Sequence, residues 1–408
     1  MSPLRGRLKA VRLDAYRSVL AVRDIRRVLA LSLVIRIPLW ASNVLLTLHV
    51  VSHLGRSYGA AGFLTAVATV ALAISAPWRG RRLDRVGLRA AVAPSLVILA
   101  ACWSVAPFVG YWPLLVLAFV AGLFVVPSFS IVRQALIHAV DESQRRAALS
   151  VDSVMVEISF MIGPALGVLL ATYAPTSWAL FACQMCSVAG GFALWLANPS
   201  LRADRGEGVA EVRHRLRTWL TPQAVAVLVT SAATTVVLTG TDVGVIAALR
   251  HLQHQSWIGW ELGVWGLGSA IGGFLYGALH RSIPAGVLLA LLAGLTLPVA
   301  FARDAVVIGV LLFVAGIFCA PTVTATVDTL SRVVPERVRG EALGWHGSAM
   351  TAGSAIGAPI AGVAIDQVGW QGGFVLPSLL ALAVAGAGLF VALGRRPAPA
   401  AEEAPALI

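Results

Sequence analysis

Residues 58–109 read YGAAGFLTAVATVALAISAPWRGRRLDRVGLRAAVAPSLVILAACWSVAPFV. Two runs within this stretch, 58–78 and 90–109, carry no charged residue, and each has the roughly 20 residues that an apolar helix needs to cross a bilayer core. Between them, 79–89 gathers five arginines around Asp84. Amphipathic helices of a soluble bundle would keep a polar face along each arm, and neither arm has one. The stretch is therefore two membrane spans joined by a short basic turn.

Ten further stretches repeat the pattern, at roughly 28–51, 112–133, 149–171, 176–197, 222–249, 258–279, 284–302, 305–330, 342–365 and 371–393. The expected fold class is an all-α integral membrane protein with twelve spans, numbered here in chain order. Its connecting segments alternate between two sides. One side collects the N-terminus, 79–89, 133–148, 198–221, 280–283, 331–341 and the C-terminus, and with them 27 of the 31 Lys and Arg residues. The other holds only Arg56, Arg250 and Arg303, while Arg36 lies inside span 1. Basic connectors stay in the cytoplasm during insertion. The expected protein is multi-pass in the cytoplasmic (inner) membrane, with both termini inside the cell.

Composition agrees, since 58% of the 408 residues are hydrophobic and 12% are charged, against about a quarter charged in soluble domains. A net charge of +12 would suggest nucleic acid in a soluble protein. Here the basic connectors would instead face anionic lipid head groups, and no compact basic domain remains outside the spans. No cleavable leader is expected, because span 1 has long basic flanks and no small-residue cleavage site. Residues 4–25 suit either a helix lying on the membrane surface or an unstructured basic tail. Cys183 and Cys186 imitate a redox CxxC pair, but they fall mid-span and read as packing residues.

The halves repeat each other. Pro127 and Pro321, Glu142 and Glu336, Arg145 and Arg339, Ala148 and Ala342, Leu149 and Leu343, and Gly163 and Gly357 all share an offset of 194 residues. This divides the chain into a basic N-terminal segment (1–27), a six-helix bundle (28–197), a linker (198–221), a second six-helix bundle (222–394) and a tail (395–408). Internal repeats of this kind mark secondary transporters. The Gly-rich phosphate loop of an ATP-driven pump is absent, so a gradient is the expected energy source.

Charges inside the membrane cost roughly 2.5–3.5 kcal/mol each on insertion scales unless paired or wetted. Arg36 and Glu157 each lie eight residues into a span that enters from the basic side, about 12 Å deep at 1.5 Å per residue. An Arg36–Glu157 pair is therefore expected, with Asp152 as the alternative partner, and it reads either as a fixed lock between two helices of one bundle or as a group that binds a proton or substrate. Asp242 stands alone in the far half of span 7, near Thr234, Thr235, Thr239 and Thr241, as a second titratable candidate or a group facing a wet vestibule. His49 and His53, and His251 and His254, bring no carboxylate or thiol at ligand spacing, so no metal and no cofactor is expected. Trp78, Trp112, Trp178, Trp195, Trp219 and Trp370 fall at span ends and read as interfacial belts. Trp40, Trp265 and Trp345 lie deeper and, with Asn43, are candidates to line a cavity.

The turn itself, Gly80-Arg-Arg-Leu-Asp84-Arg85-Val-Gly87-Leu-Arg89, resembles the signature loop of the major facilitator superfamily, G-x-x-x-D-R-x-G-x-R/K. Arg82-Leu83 stand where that family usually has Leu-Ala. Gly80 and Gly87 permit a tight turn. The resemblance implies that the Asp84 carboxylate sits at the positive start of span 11, near Gly340, as part of a gate. Ser159-Phe-Met-Ile-Gly163-Pro164-Ala-Leu-Gly167-Val168 is similar to that family's antiporter motif, G-x-x-x-G-P-x-x-G-G, with Ser159 and Val168 in place of the outer glycines. Gly163 and Gly167 allow close helix approach, Pro164 removes a backbone hydrogen bond, and the expected setting is an interface that slides or seals. The run from Gly353 to Gly362 repeats this helix type in span 11. Arg36-Ile-Pro38, Glu157 and Glu341-Ala-Leu-Gly-Trp345 resemble actinobacterial members, as does the use of one Lys against thirty Arg.

The resemblance implies two bundles rocking around a site near the bilayer midplane, fed by spans 1, 4, 7 and 10. Few charges and many Trp, Phe, Ser and Thr suit an apolar or amphipathic small molecule exported against protons, by a carrier expected to be monomeric and in contact with membrane lipids. Uptake of a sugar, nucleoside or amino acid is the alternative; a membrane enzyme would need a catalytic constellation that is missing, and a non-transporting sensor built on the same fold would bind its ligand without moving it.

Overall fold

The computed structural model describes residues 19–141, 144–199, 219–278, 283–335 and 338–394. No β-strand occurs among them. Nine helical stretches are long and apolar enough to cross a bilayer, and Ala285–Phe301 and Gly372–Gly388 are shorter apolar helices. Ile258–Ala278 supplies the twelfth, its apolar run diluted by Glu261 and many glycines. The protein is a twelve-helix membrane protein.

Several boundaries differ from the hydropathy reading, for local reasons. Span 1 starts at Arg23 and runs to Leu48, then widens into a π-helix over His49–His53. Spans 2 and 3 are arms of one helical run, Tyr58–Val105, which turns at Gly87 with φ 79° and ψ 174°. That conformation favours a residue without Cβ. The turn expected of Gly80 and Gly87 together is made by Gly87, and Gly80 lies within the helix.

Spans 4 and 10 are each broken midway, into Tyr111–Leu123 with Ser128–His138 and into Ala305–Gly316 with Cys319–Val333. The breaks fall near Pro127 and Pro321, the prolines of the repeat. A broken helix leaves carbonyls without intrahelical donors, and Arg79 meets one of them. Its guanidinium donates to the Leu123 carbonyl at 3.2 Å and to Ser95 Oγ at 2.8 Å. The repeat extends to packing. Gly163 and Gly167 of span 5 lie against Ile37, Trp40 and Ala41 of span 1, while Gly353 and Gly357 of span 11 lie against Ala232, Thr235, Val236 and Thr239 of span 7.

The distribution of the core tells where the halves meet. At the arginine-rich end, Val28, Leu29, Val132, Leu136 and Ala148 form a core drawn from the first half only. Trp219, Val227, Leu330, Val334 and Ala342 form a separate one from the second half. At the opposite end, Val44, Leu48 and Val168 join Val245, Leu249, Ile258, Ile308, Ile365 and Phe374 in one shared core. Two of the expected belt tryptophans belong to these interiors: Trp219 is 1% and Trp370 8% exposed, because each packs under helix ends. Trp78, Trp112 and Trp178 are exposed, as a belt requires.

Candidate functional site

The halves are sealed at the end opposite the arginines. The helix starting at Tyr58 has orphan N–H groups in its first turn, as every helix does. Ser57 Oγ accepts from the Ala60 N–H at 3.1 Å. The preceding two donors are met from the other half: Asp366, at the end of span 11, accepts from the Tyr58 N–H at 3.0 Å and from the Gly59 N–H at 2.7 Å. A carboxylate at a helix N-terminus is stabilised by the helix dipole as well. Arg250 of span 7 donates to the Tyr58 hydroxyl at 3.0 Å, with its guanidinium 5.8 Å from the ring centre. Gly62 and Gly362 let spans 2 and 11 approach, Gly62 against Ala358 and Gly362 against Tyr58. The bonds from Tyr58 and Gly59 N–H to Asp366 and from Arg250 to the Tyr58 hydroxyl thus tie the halves together at this end.

Spans 5 and 8 make the second contact. Gly259 lies against Ala165, and Gly266 against Met161 and Phe160. At this second contact the close-approach glycines belong to span 8. Gly163 and Gly167, expected to serve a sliding or sealing interface, face span 1 within their own half, since positions 161 and 165 occupy the other side of the helix. Pro164 lies inside the uninterrupted helix Arg145–Tyr173.

An aromatic ladder crosses this interface. The Trp40 and Phe160 rings meet edge-on at 5.0 Å, and Phe160 meets Trp265 at 5.9 Å. The indole N–H groups of Trp40 and Trp265 are buried with no acceptor among the described residues. The structure thus brings two of the four cavity candidates together. Trp345 and Asn43 are exposed and stand apart from the ladder.

Arg36 is fully buried and pairs with Asp152, Nη1 to Oδ1 at 2.6 Å. It is thus the alternative carboxylate that meets Arg36. Asp152 also accepts from the exposed Arg133 at 3.4 Å, and Arg36 stacks over Phe129 at 4.5 Å. Asp152 thus serves two cations, one buried and one exposed. The side chain of Glu157 lies outside the described residues, as does that of Asp84. Of the other signature residues, Arg85 is exposed, and Arg89 donates to the Trp195 and Leu196 carbonyls at 3.5 and 3.4 Å. Arg89 therefore caps the end of span 6 in its own half, a favourable place for a cation.

Asp242 is half-buried and makes no hydrogen bond or ion pair with a described residue. Gly240 and Gly244 pack on Pro377 and Phe374 of span 12. Two residues along a helix is a rotation of about 200°, so Asp242 points away from span 12, on the stripe it shares with Thr235 and Thr239. A further carboxylate escaped the sequence reading. Glu261 is 1% exposed, rests against Gly309, and its Oε2 has no partner among the described residues. The signal was present: a lone carboxylate three residues into an apolar span.

The profile of the Major Facilitator Superfamily matches residues 28–282 and 228–407. No curated protein matches the chain. Among solved structures, a bacterial homolog of the human lysosomal transporter Spinster is similar, at 14% identity and TM-score 0.70 over 93% of this chain and 99% of that one. The nucleoside transporter NupG superposes with TM-score 0.64 at 15% identity, over 92% of this chain and 100% of its own. A bacterial homologue of the iron transporter ferroportin gives TM-score 0.68 at 14% identity, over 90% and 98%. At these identities the likeness is one of fold.

Proposed function

The chain belongs to the Major Facilitator Superfamily, and from that premise we propose that it is a proton-coupled exporter of apolar or amphipathic small molecules. That it is a membrane transporter moving small molecules by alternating access, and not an enzyme, follows from the family and fold. Direction, cargo and coupling are the proposal.

The Trp40–Phe160–Trp265 ladder carries the cargo assignment. It places apolar surface with two free indole donors where the halves meet, which suits a largely apolar solute bearing an acceptor. Phosphates or di-acids would call for several convergent cations at that level. The arginine-rich end is assigned to the cytoplasm, so a carrier sealed at Tyr58–Asp366 is open inward and ready to load from within. Asp242, half-buried and with no hydrogen bond or ion pair to a described residue, is the proposed proton carrier, since a membrane carboxylate of this kind is a functional site by default.

The test is energised transport. Everted membrane vesicles holding the protein should accumulate a lipophilic fluorescent dye when a proton gradient is imposed, and a protonophore should release it. Accumulation of nucleosides or sugars by right-side-out cells, with no dye export, would replace the proposal with uptake.

A further inference from the structure

A second cavity lies on the far side of the seal. Tyr58 of the first half and Ala247, Arg250, His251, Gln253, Gln255, Ile365, Asp366 and Gln371 of the second border a cavity of about 460 Å³. That volume is within the range of small-molecule sites, roughly 300–1,000 Å³. Its lining differs from the aromatic ladder: three amides, a histidine and a cation.

Arg250 is the unusual member. No carboxylate reaches it among the described residues, although Asp366 lines the same cavity. Asp366 is already committed to the Tyr58 and Gly59 N–H groups. Arg250 spends Nη1 on the Tyr58 hydroxyl, and its Nη2 makes no hydrogen bond with a described residue. A guanidinium is shaped to hold a carboxylate, and an anionic oxygen from a solute in the cavity would supply the missing counter-charge. Gln253, Gln255 and Gln371 would then face the body of that solute, which favours one rich in hydroxyl or amide groups.

We propose that this cavity binds a small polar carboxylate from the external side, held by Arg250 and the surrounding amides, and that the bound solute keeps the Tyr58–Asp366 seal closed. The second effect follows from the lining. Tyr58 comes from one half and the remaining groups from the other, so an occupant is grasped fully when the halves are together. The site is separate from the transport site and does not depend on what the carrier exports.

The probe is gluconate, with glucose as its neutral counterpart, titrated calorimetrically into the full-length protein in lipid nanodiscs. Gluconate should bind saturably and glucose should not. Arg250→Gln should weaken gluconate at least tenfold. Gluconate should also slow hydrogen exchange at the Tyr58 and Gly59 amides in the wild type, and leave it unchanged in the variant. Should Arg250→Gln fail to fold, Gln371→Leu at the rim should weaken gluconate at least threefold. Equal binding of gluconate and glucose, absence of gluconate binding to the wild type, or full affinity in whichever variant folds overturns the site. Unaltered exchange at Tyr58 and Gly59 with gluconate bound overturns the clamp.

Discussion

Asp366 caps the helix that begins at Tyr58 from 308 residues away in sequence, and both of its oxygens are used, at 3.0 and 2.7 Å. The carboxylate belongs to one half of the transporter and the helix to the other. Such a bond exists only while the halves are closed at that end, so its strength biases the conformational equilibrium directly.

Asp366→Ala should therefore open the seal. Loss of a capping side chain costs about 1 kcal/mol, which is roughly a fivefold shift in population at room temperature. In a background without the four native cysteines, labelling of a cysteine placed at Ala247, which is 4% exposed at the closed seal, by a membrane-impermeant maleimide should speed up by about that factor. An unchanged labelling rate would mean that the capping bond does not limit opening.

The Arg36–Asp152 pair is fully buried, and breaking such a pair from one side costs about 3–5 kcal/mol. Arg36→Ala and Asp152→Ala should each lower the thermal midpoint of the purified protein more than the double variant does. Arg133→Ala should have little effect, since that partner is 57% exposed and exposed pairs contribute about 0–1 kcal/mol. A double variant as damaged as the sum of the singles would contradict this.

Coupling separates the carboxylates. Asp242→Asn keeps the shape but holds no exchangeable charge, so it should permit counterflow of substrate while abolishing accumulation on an imposed proton gradient. Glu157→Gln should retain accumulation. The reverse pattern would transfer the proton to Glu157.

Glycines of the two interfaces should fail differently. Gly259→Val places a side chain on the Ala165 backbone between the halves, so it should leave the melting temperature within a few degrees yet prevent closure, seen as fast labelling of the cysteine at Ala247. Gly163→Val strikes Trp40 inside one bundle and should lower stability by about 1–3 kcal/mol, the usual cost of overpacking.

Sidedness is directly measurable. Reporters placed after Gly206 and at the C-terminus should read cytoplasmic, and one inserted at the exposed turn residue Gly55 should read external. The reason is the division of 27 basic residues against 3. An external reading at Gly206 would reverse the topology and, with it, the inward-open assignment.

The twelve helices were legible because membrane insertion leaves a one-dimensional record. Span length and the side chosen by arginines are both local properties of the chain. The 194-residue offset likewise announced that the halves are related, and the packing follows it: Gly163 of span 5 lies on span 1, and Gly357 of span 11 lies on span 7. The helix ends were less legible. A helix continues past the bilayer wherever nothing stops it, so hydropathy could not foresee that spans 2 and 3 stay helical up to Gly87.

Sequence alone thus determined that the chain crosses the membrane twelve times, that its halves are related, and that Arg36 must have an acidic partner. Only the tertiary structure decided that the partner at Arg36 is Asp152, that Trp40 and Trp265 meet through Phe160, and that Asp366 and Arg250 converge on Tyr58. The physical reason is angular. Depth along a helix follows from counting residues, at 1.5 Å each. Which neighbour a side chain meets depends on the rotation and crossing of whole helices, and those are set by the sum of packing contacts between segments far apart in the chain.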